Sequence, residues 1–370
     1  MLIKGYDQFG GRSPESAPLT NVLHALGASY SETLVFGLAG GIGASYFVFE
    51  YKGAPPNVFL GMRHGLYGSP NFLGNACRRI GAKPIFKETT SPGAAQKHLL
   101  ELIEAGKPAV AYVCGKQEYS YHHVGVAGLD EDSILLDDME TSPGRMSLEQ
   151  FARKRAGIGS FKNRLLAVDL PQEKVDLRPG ILEAIEATIR GMHESPVKSF
   201  SSNFGLVALE KFARLLGDEK DKRGWAKQFP AGPKLEIGLK WVQLFTRNGA
   251  YRGMYADFLK EAAQITGHTP LAACAEEYQK LEQKWKEFAE LARIENEPKL
   301  GEMSSAMLSL TTLSPPRSTA WMRQPSKSGF QFGRRVPPTR RCVWPNPSRP
   351  KSHWVRRATR SPVRCQLFMT

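Results

Sequence analysis

Cysteine is scarce in this chain and its placement builds nothing. Cys77, Cys114, Cys274, Cys342 and Cys365 form no CxxC pair and follow no regular spacing. That excludes a zinc knuckle and a disulfide framework, and it fits reduced thiols in a cytoplasmic protein. Long apolar runs are missing as well: nothing reaches the length of a membrane span, and Met1 to Asp7 lacks the apolar stretch of a secretory leader. Acidic residues run short in one region only. Residues 296–370 hold 14 Lys and Arg against 2 Asp and Glu, so of the formal net charge of +14 only +2 belongs to residues 1–295. The basic excess therefore describes a tail, not a folded surface made for nucleic acid or an anionic membrane. The glycine-rich stretch with Gly37, Gly40, Gly41 and Gly43 lacks the GK[ST] of a phosphate loop, and Tyr46 stands where GxGxxG needs its last glycine. Those glycines read as close helix packing or tight turning.

What is present divides the chain. Residues 1–169 carry a mixed pattern in which Leu19, Val22, Leu23 and Leu26 fall at helical spacing, with Gly27 suited to a left-handed stop. Asn57 to Met62, Pro84 to Lys87, Pro108 to Cys114 and Arg164 to Val168 read as strands. Ser91-Pro92 opens a helix by cap and first-turn proline, and Gly106 closes it. A polar linker, 170–177, leads into residues 178–295, which read as helical throughout; Leu271, Cys274, Tyr278, Leu281, Trp285 and Phe288 form one apolar seam. Beyond Leu300 the periodicity stops. Residues 296–370 read as a disordered basic tail rich in Arg, Pro and Ser. Two origins fit it: an arm for nucleic acid, or translation of a shifted reading frame. Trp321, Trp344 and Trp354, scattered without a stacking fold, favour the frameshift.

The segment Tyr121 to Leu129 reads as a buried strand, Asp130-Glu131-Asp132 as a turn, and Ser133 to Asp138 as the hairpin partner. Such a hairpin sets an imidazole beside a carboxylate, which is half of a nucleophilic triad; the other half would be a Cys or Ser at a helix start, where the dipole favours an anion. His122 and His123 are adjacent, so on a strand they face opposite sides and only one can enter a cleft, which is poor geometry for a shared metal. The diad expected is His122 with Asp138 or Asp137, in a groove facing the amino end of the first helix.

Together these segments resemble the family named for butirosin biosynthesis protein H, whose amino-terminal domain looks like a papain-type fold related to C39 peptidases. The pieces that carry the resemblance are Gly11 to Ser16 leading into Leu19 to Leu23, Ser31-Glu32 with the glycine run, Gly61-Met62-Arg63-His64, and His122 through Asp138; Gly249 to Leu259 and Tyr278 to Trp285 are similar to the helical domain of unknown function that follows it. The resemblance spans residues 1 to 294. It implies an α+β fold, a papain-like cysteine-protease-type first domain, an all-α second domain, and no cofactor or metal. It also implies acyl transfer from a carrier-protein thioester to a small amine, with an acyl-carrier protein as partner; composition sets the expectation of no membrane partner, and of no nucleic acid unless the basic tail is a genuine arm. Carried over residue by residue, His122 is the general base and Asp138 its orienter, with Asp137 taking that place if the register slips by one. The nucleophile does not carry over. Where the founding member has a His-Cys pair, this chain has Ser13-Pro14, which leaves Ser13 and Ser16 as the candidate hydroxyls, both also read as helix caps. A non-catalytic binder that keeps the papain-type cleft is the alternative.

Overall fold

The computed structural model describes residues 1–312 apart from 51, 52, 54, 68, 70, 116–120 and 297. Strands lie in the first half, and helices alone follow from Arg178, the α+β arrangement expected from the sequence. In the first half α1 is Ser16–Ala25, α2 Glu32–Ala39, α3 Asn71–Arg79, α4 Pro92–Glu104 and α5 Leu148–Ala156. The strands are β1 Ile42–Phe49, β2 Asn57–Arg63, β3 Lys83–Lys87, β4 Ala109–Cys114, β5 Tyr121–Asp130, β6 Ser133–Asp137, β7 Gly144–Ser147 and β8 Leu165–Asp169. The helical half holds α6 Arg178–His193, α7 Gly205–Gly217, α8 Trp225–Gln228, α9 Pro233–Thr246, α10 Arg252–Thr266, α11 Pro270–Leu291 and α12 Leu300–Thr312.

Six strands make one antiparallel sheet in the order β3-β8-β4-β5-β6-β7. Strand alternation gives that sheet two buried faces. On one face Ala109, Ala111, Val113, Val124, Val126 and Leu136 pack with Leu99 and Leu102 of α4 and Phe151 of α5. On the other, Asn21 of α1 reaches Asp137 at the end of β6 and Tyr112 abuts the His123 ring. Local signals act as the sequence implies. The Ser91 hydroxyl accepts from the Ala94 amide ahead of Pro92, and the Ser31 hydroxyl from Leu34, each satisfying an open amide of the first helical turn.

The glycine run packs and turns the chain, as its sequence implies, and leads into a strand that the glycine pattern does not signal. A Cβ on Gly37 would stand 2.1 Å from the Phe258 ring, so its absence lets α2 lie close on α10. Gly40 and Gly41, at φ of 119° and 59°, then turn the chain into β1. This strand forms a two-stranded sheet with β2, Ser45 adds a bridge to Phe204, and the hairpin is held by the helical half. Tyr46 stacks on Phe212 and accepts a hydrogen bond from the Trp225 indole at 3.0 Å, and Phe59 meets Phe245 edge to face. Arg252 is buried beneath it, donating to the carbonyls of Gly43, Met62 and Ala250 with its guanidinium 5.0 Å from the Trp285 ring. Burial pushes that guanidinium down to about 10.

The expected seam on α11 is there: Leu271, Tyr278, Leu281, Trp285 and Phe288 are buried, with Ala275 taking the place given to Cys274, which is half-buried. One boundary needs correction. Helical structure does not end near residue 295, because α12 buries Met303, Met307 and Leu310 and its Ser304 hydroxyl donates to the Ala213 carbonyl of α7 at 2.7 Å. Spacings of four and three put those side chains on one face, but the stretch is short and rich in serine, so its pattern is faint. Residues 313–370, where most of the disordered and frameshifted tail was expected, lie outside the described residues.

Candidate functional site

The site is built on β5, β6 and the chain leading into α1. Pairing Val113 with His122, Tyr112 with His123 and Gly125 with Asp137 fixes which side chains share a face. His122 lies on the side of Val124 and Val126, with α4 and α5. His123 and Asp137 lie on the side of α1.

His122 Nε2 is hydrogen-bonded to Asp138 Oδ1, and the pair is part-open to solvent, with side chains 24% and 40% exposed. Asp137 is occupied elsewhere. Fully enclosed, its carboxylate accepts from Tyr6 Oη at 3.0 Å, the Gly10 amide at 2.9 Å and Asn21 Nδ2 at 2.7 Å. These bonds tie the first ten residues and α1 to the sheet. Burial raises the Asp137 carboxyl above the ordinary carboxylate range, and the three donors only partly offset it.

Ser13 and Ser16 sit at the start of α1, and both hydroxyls are engaged. Ser13 Oγ accepts from the amides of Glu15 and Ser16 at 3.3 and 3.4 Å, the Ser13 carbonyl accepts from Ala17, and Pro14 needs no donor there; this is the cap-and-proline opening. Ser16 Oγ donates to Glu32 Oε1 at 3.0 Å, and the same carboxylate takes the Arg12 and Ser13 amides at 2.7 and 2.8 Å. The helical half closes over this turn: Arg12 pairs with Asp257 of α10 at 2.7 Å.

The group that meets α1 from the strand is His123. Its Nδ1 lies 3.9 Å from Glu15 Oε1. Glu15 is in turn locked to Arg63 of β2 by a two-point ion pair, Nε to Oε2 at 2.5 Å and Nη2 to Oε1 at 2.8 Å. The guanidinium lies over the Tyr67 and Phe72 rings, and both charged side chains are almost wholly enclosed. Burial alone would raise the Glu15 carboxyl, but the field of Arg63, the lesser field of His123 and the Arg63 hydrogen bonds hold it below its usual range. For His123 burial dominates, pushing the imidazole down to about 4 against the pull of Glu15. The ring facing α1 is therefore neutral at neutral pH, with a carboxylate beside it that is already neutralised.

The structure thus unites His122 with Asp138 and separates that pair, by the thickness of the sheet, from Ser13, Ser16 and Asp137. A trio the sequence does not join, the Glu15–Arg63 ion pair with the neutral His123 ring beside it, fills the space under α1. Two signals pointed that way: Arg63 within Gly61 to His64, and the alternation that sends adjacent histidines to opposite faces. Of the thiols, Cys77 is enclosed and pushed up to about 12 by burial, which makes it a buried apolar group. No group of three or more His, Cys, Asp and Glu is placed to hold a metal ion among the described residues. Nor is any helix there long and apolar enough to cross a membrane.

Residues 13–139 match the family model described as butirosin biosynthesis protein H, N-terminal, and residues 148–314 match that of a domain of unknown function, DUF4872. The chain thus carries the amino-terminal domain of the butirosin biosynthesis protein H family, followed by the helical domain. The second match runs through α12, in keeping with the longer helical half. No curated protein matches the chain. Among solved structures it is similar to the peptidase domain of Streptococcus ComA, a bi-functional ABC transporter involved in a quorum-sensing pathway. That domain is 14% identical, and the match covers 45% of this chain and 99% of that one at a TM-score of 0.31.

Proposed function

We propose that this protein is an acyltransferase-like member of its family, acting in the cytoplasm in secondary metabolism, whose papain-type cleft binds its ligand without forming a covalent intermediate. The ligand class is that of the family resemblance, an acyl group on a carrier protein or a small amine. One observation carries the reading: Pro14 stands at the nucleophile position, and the hydroxyls on either side of it are already bonded, Ser13 as a helix cap and Ser16 to Glu32. A serine in a cap is a poor nucleophile, and the imidazole nearest to it is buried beside an ion pair instead of being free to take a proton.

The test is incubation of the full chain with an aminoacyl carrier-protein thioester, followed by intact-mass measurement and by a binding assay with the same loaded carrier. Complex formation with unchanged mass is expected. An acyl adduct overturns the proposal, and so does failure to bind both the loaded carrier and a free aminoglycoside.

A second reading, turnover through His122 with Asp138 as its orienter, is favoured by the hydrogen bond of that pair and its opening to solvent. Under it, His122→Ala abolishes thioester turnover in a protein that still folds, and turnover unaffected by the change removes the pair from the chemistry.

A further inference from the structure

Next to the α1 site, with which it shares Arg63, a cleft of about 200 Å³ lies where the β1–β2 hairpin meets α6, lined by Gly43, Arg63, His64, Arg190, Gly191 and Ser195 among others. Its volume is below the roughly 300 Å³ at which pockets for drug-sized ligands begin. His64 is its most constrained member. The imidazole is slotted between two glycines: a Cβ on Gly40 would lie 2.7 Å from one edge of the ring, and a Cβ on Gly191 2.6 Å from Nδ1. The His64 amide donates to the Gly41 carbonyl at 2.9 Å, and its own carbonyl takes Arg63 Nη1 at 2.7 Å, so the backbone is fixed too.

Within that slot Nδ1 is shut off from solvent and bonds to nothing. A buried N–H without an acceptor is costlier and rarer than a buried acceptor without a donor, so the favoured tautomer keeps its proton on Nε2. Nε2 is the nitrogen left to face the cleft, and it therefore presents a donor. Arg190 adds more donors: its Nη2 bonds Glu186 on the same helix at 3.2 Å, and over half of its side chain is open to solvent. The charges that bear on the ring are those of Arg63, Arg79 and Arg190, all positive. Arg63 and Arg79 are paired with Glu15 and Glu183, Arg190 with Glu186, and Glu194 lines the rim.

We propose that this cleft is a binding site for a small anion-bearing molecule, a carboxylate or a phosphate ester, held by His64 Nε2–H and the Arg190 guanidinium. The site joins residues of both halves of the fold and is independent of the chemistry at Pro14. Gly40, which also turns the chain, and Gly191 within α6 together leave the slot in which the His64 ring lines the cleft.

The experiment titrates the full-length chain with inorganic phosphate and, separately, with acetate, following the His64 ring signals by NMR and the affinity by calorimetry. His64→Gln assigns the ring signals. At least one anion is expected to move them, and Arg190→Ala, which removes only an exposed pair on α6, is expected to weaken binding about tenfold, the size of one charge-assisted hydrogen bond on a part-open group. Gly191→Ala, which drives the ring from its slot, is expected to abolish binding. A response to phosphate alone assigns a phosphate ester, and to acetate alone a carboxylate. His64 signals that neither anion moves, or an affinity untouched by Arg190→Ala, overturn the proposal.

Discussion

His122 and His123 are neighbours in sequence and opposites in circumstance. On the face shared with α4 and α5, His122 meets a carboxylate at the edge of solvent, where water screens the pair. On the α1 face, His123 is sealed against Glu15 and Arg63, where any change in charge must be met by the protein itself. The strand period of two produces this contrast from a single dipeptide. It teaches that the α1 face, where the family resemblance seeks a nucleophile, is built here as a closed electrostatic unit, whereas the open pair sits on the other side.

The sharpest way to break the comparison is to open the closed unit. Glu15→Ala leaves the Arg63 guanidinium enclosed without its carboxylate, and a loss of about 3–5 kcal/mol in unfolding free energy is expected by urea denaturation. A cost below about 1 kcal/mol would mean that water reaches Arg63 and that the α1 face is open after all.

Acid should reveal the same closure. The His123 imidazole has its folded value near 4 and its ordinary value near 6.5. Between the two the unfolded chain binds a proton that the folded chain refuses, so stability is full above about pH 6.5 and falls as pH drops toward 4, by about 1.4 kcal/mol per pH unit for such a ring. His64, also pushed down to about 4, adds a like slope. Asp137 and Glu32, both raised, act in the reverse sense at the low end of this window, so the measure is the difference between wild type and His123→Gln. The variant should lose one ring's share of the acid sensitivity. Parallel stability-versus-pH curves for the two proteins would show that the His123 ring takes up its proton as readily in the folded chain as in the unfolded one.

Part of this contrast could be read from residue order alone. Alternation along β5 separates the histidines, Ser13-Pro14 announces a capped helix start, and a spacing of one turn between two apolar runs brings His122 to Asp138. Such features are local, set by neighbours within a hairpin or a helical turn. Glu15 and Arg63 lie 48 positions apart on a helix start and a strand, and Arg12 meets Asp257 from the other half of the chain; no periodicity links such partners. The strand β1 was hidden for another reason. Its first residues share a glycine run with the end of α2, and the partner that stabilises it, the wall of α7 and Trp225, comes more than 150 residues later. The helix α12 was lost to its composition, since three buried apolar side chains among serines give little contrast.

Adjacent carboxylates repeat the comparison at smaller scale. Asp137→Asn replaces an acceptor of three hydrogen bonds by an amide that turns a donor toward Tyr6, the Gly10 amide or Asn21, so one buried donor loses its partner; a loss of about 1–3 kcal/mol is expected by thermal or urea unfolding. A neutral result would mean that Asp137 is already protonated in the fold, in line with the direction in which burial moves it.

Smallest of all should be the effect of disrupting the open pair. His122→Ala removes a half-exposed ring whose carboxylate partner turns to water, so stability should change by less than about 1 kcal/mol, as for other pairs at the surface. Asp138→Asn should do no more, since the carboxylate is more open still. Because neither change touches the α1 face, both variants should keep the wild-type response of stability to acid, and the difference made by His123→Gln should persist in each background. A shift of several kcal/mol on losing the His122 ring, or a coupling between His122→Ala and His123→Gln well beyond the sum of the two, would mean that the sheet does not insulate its faces. The open pair and the closed unit would then be a single network reaching through β5.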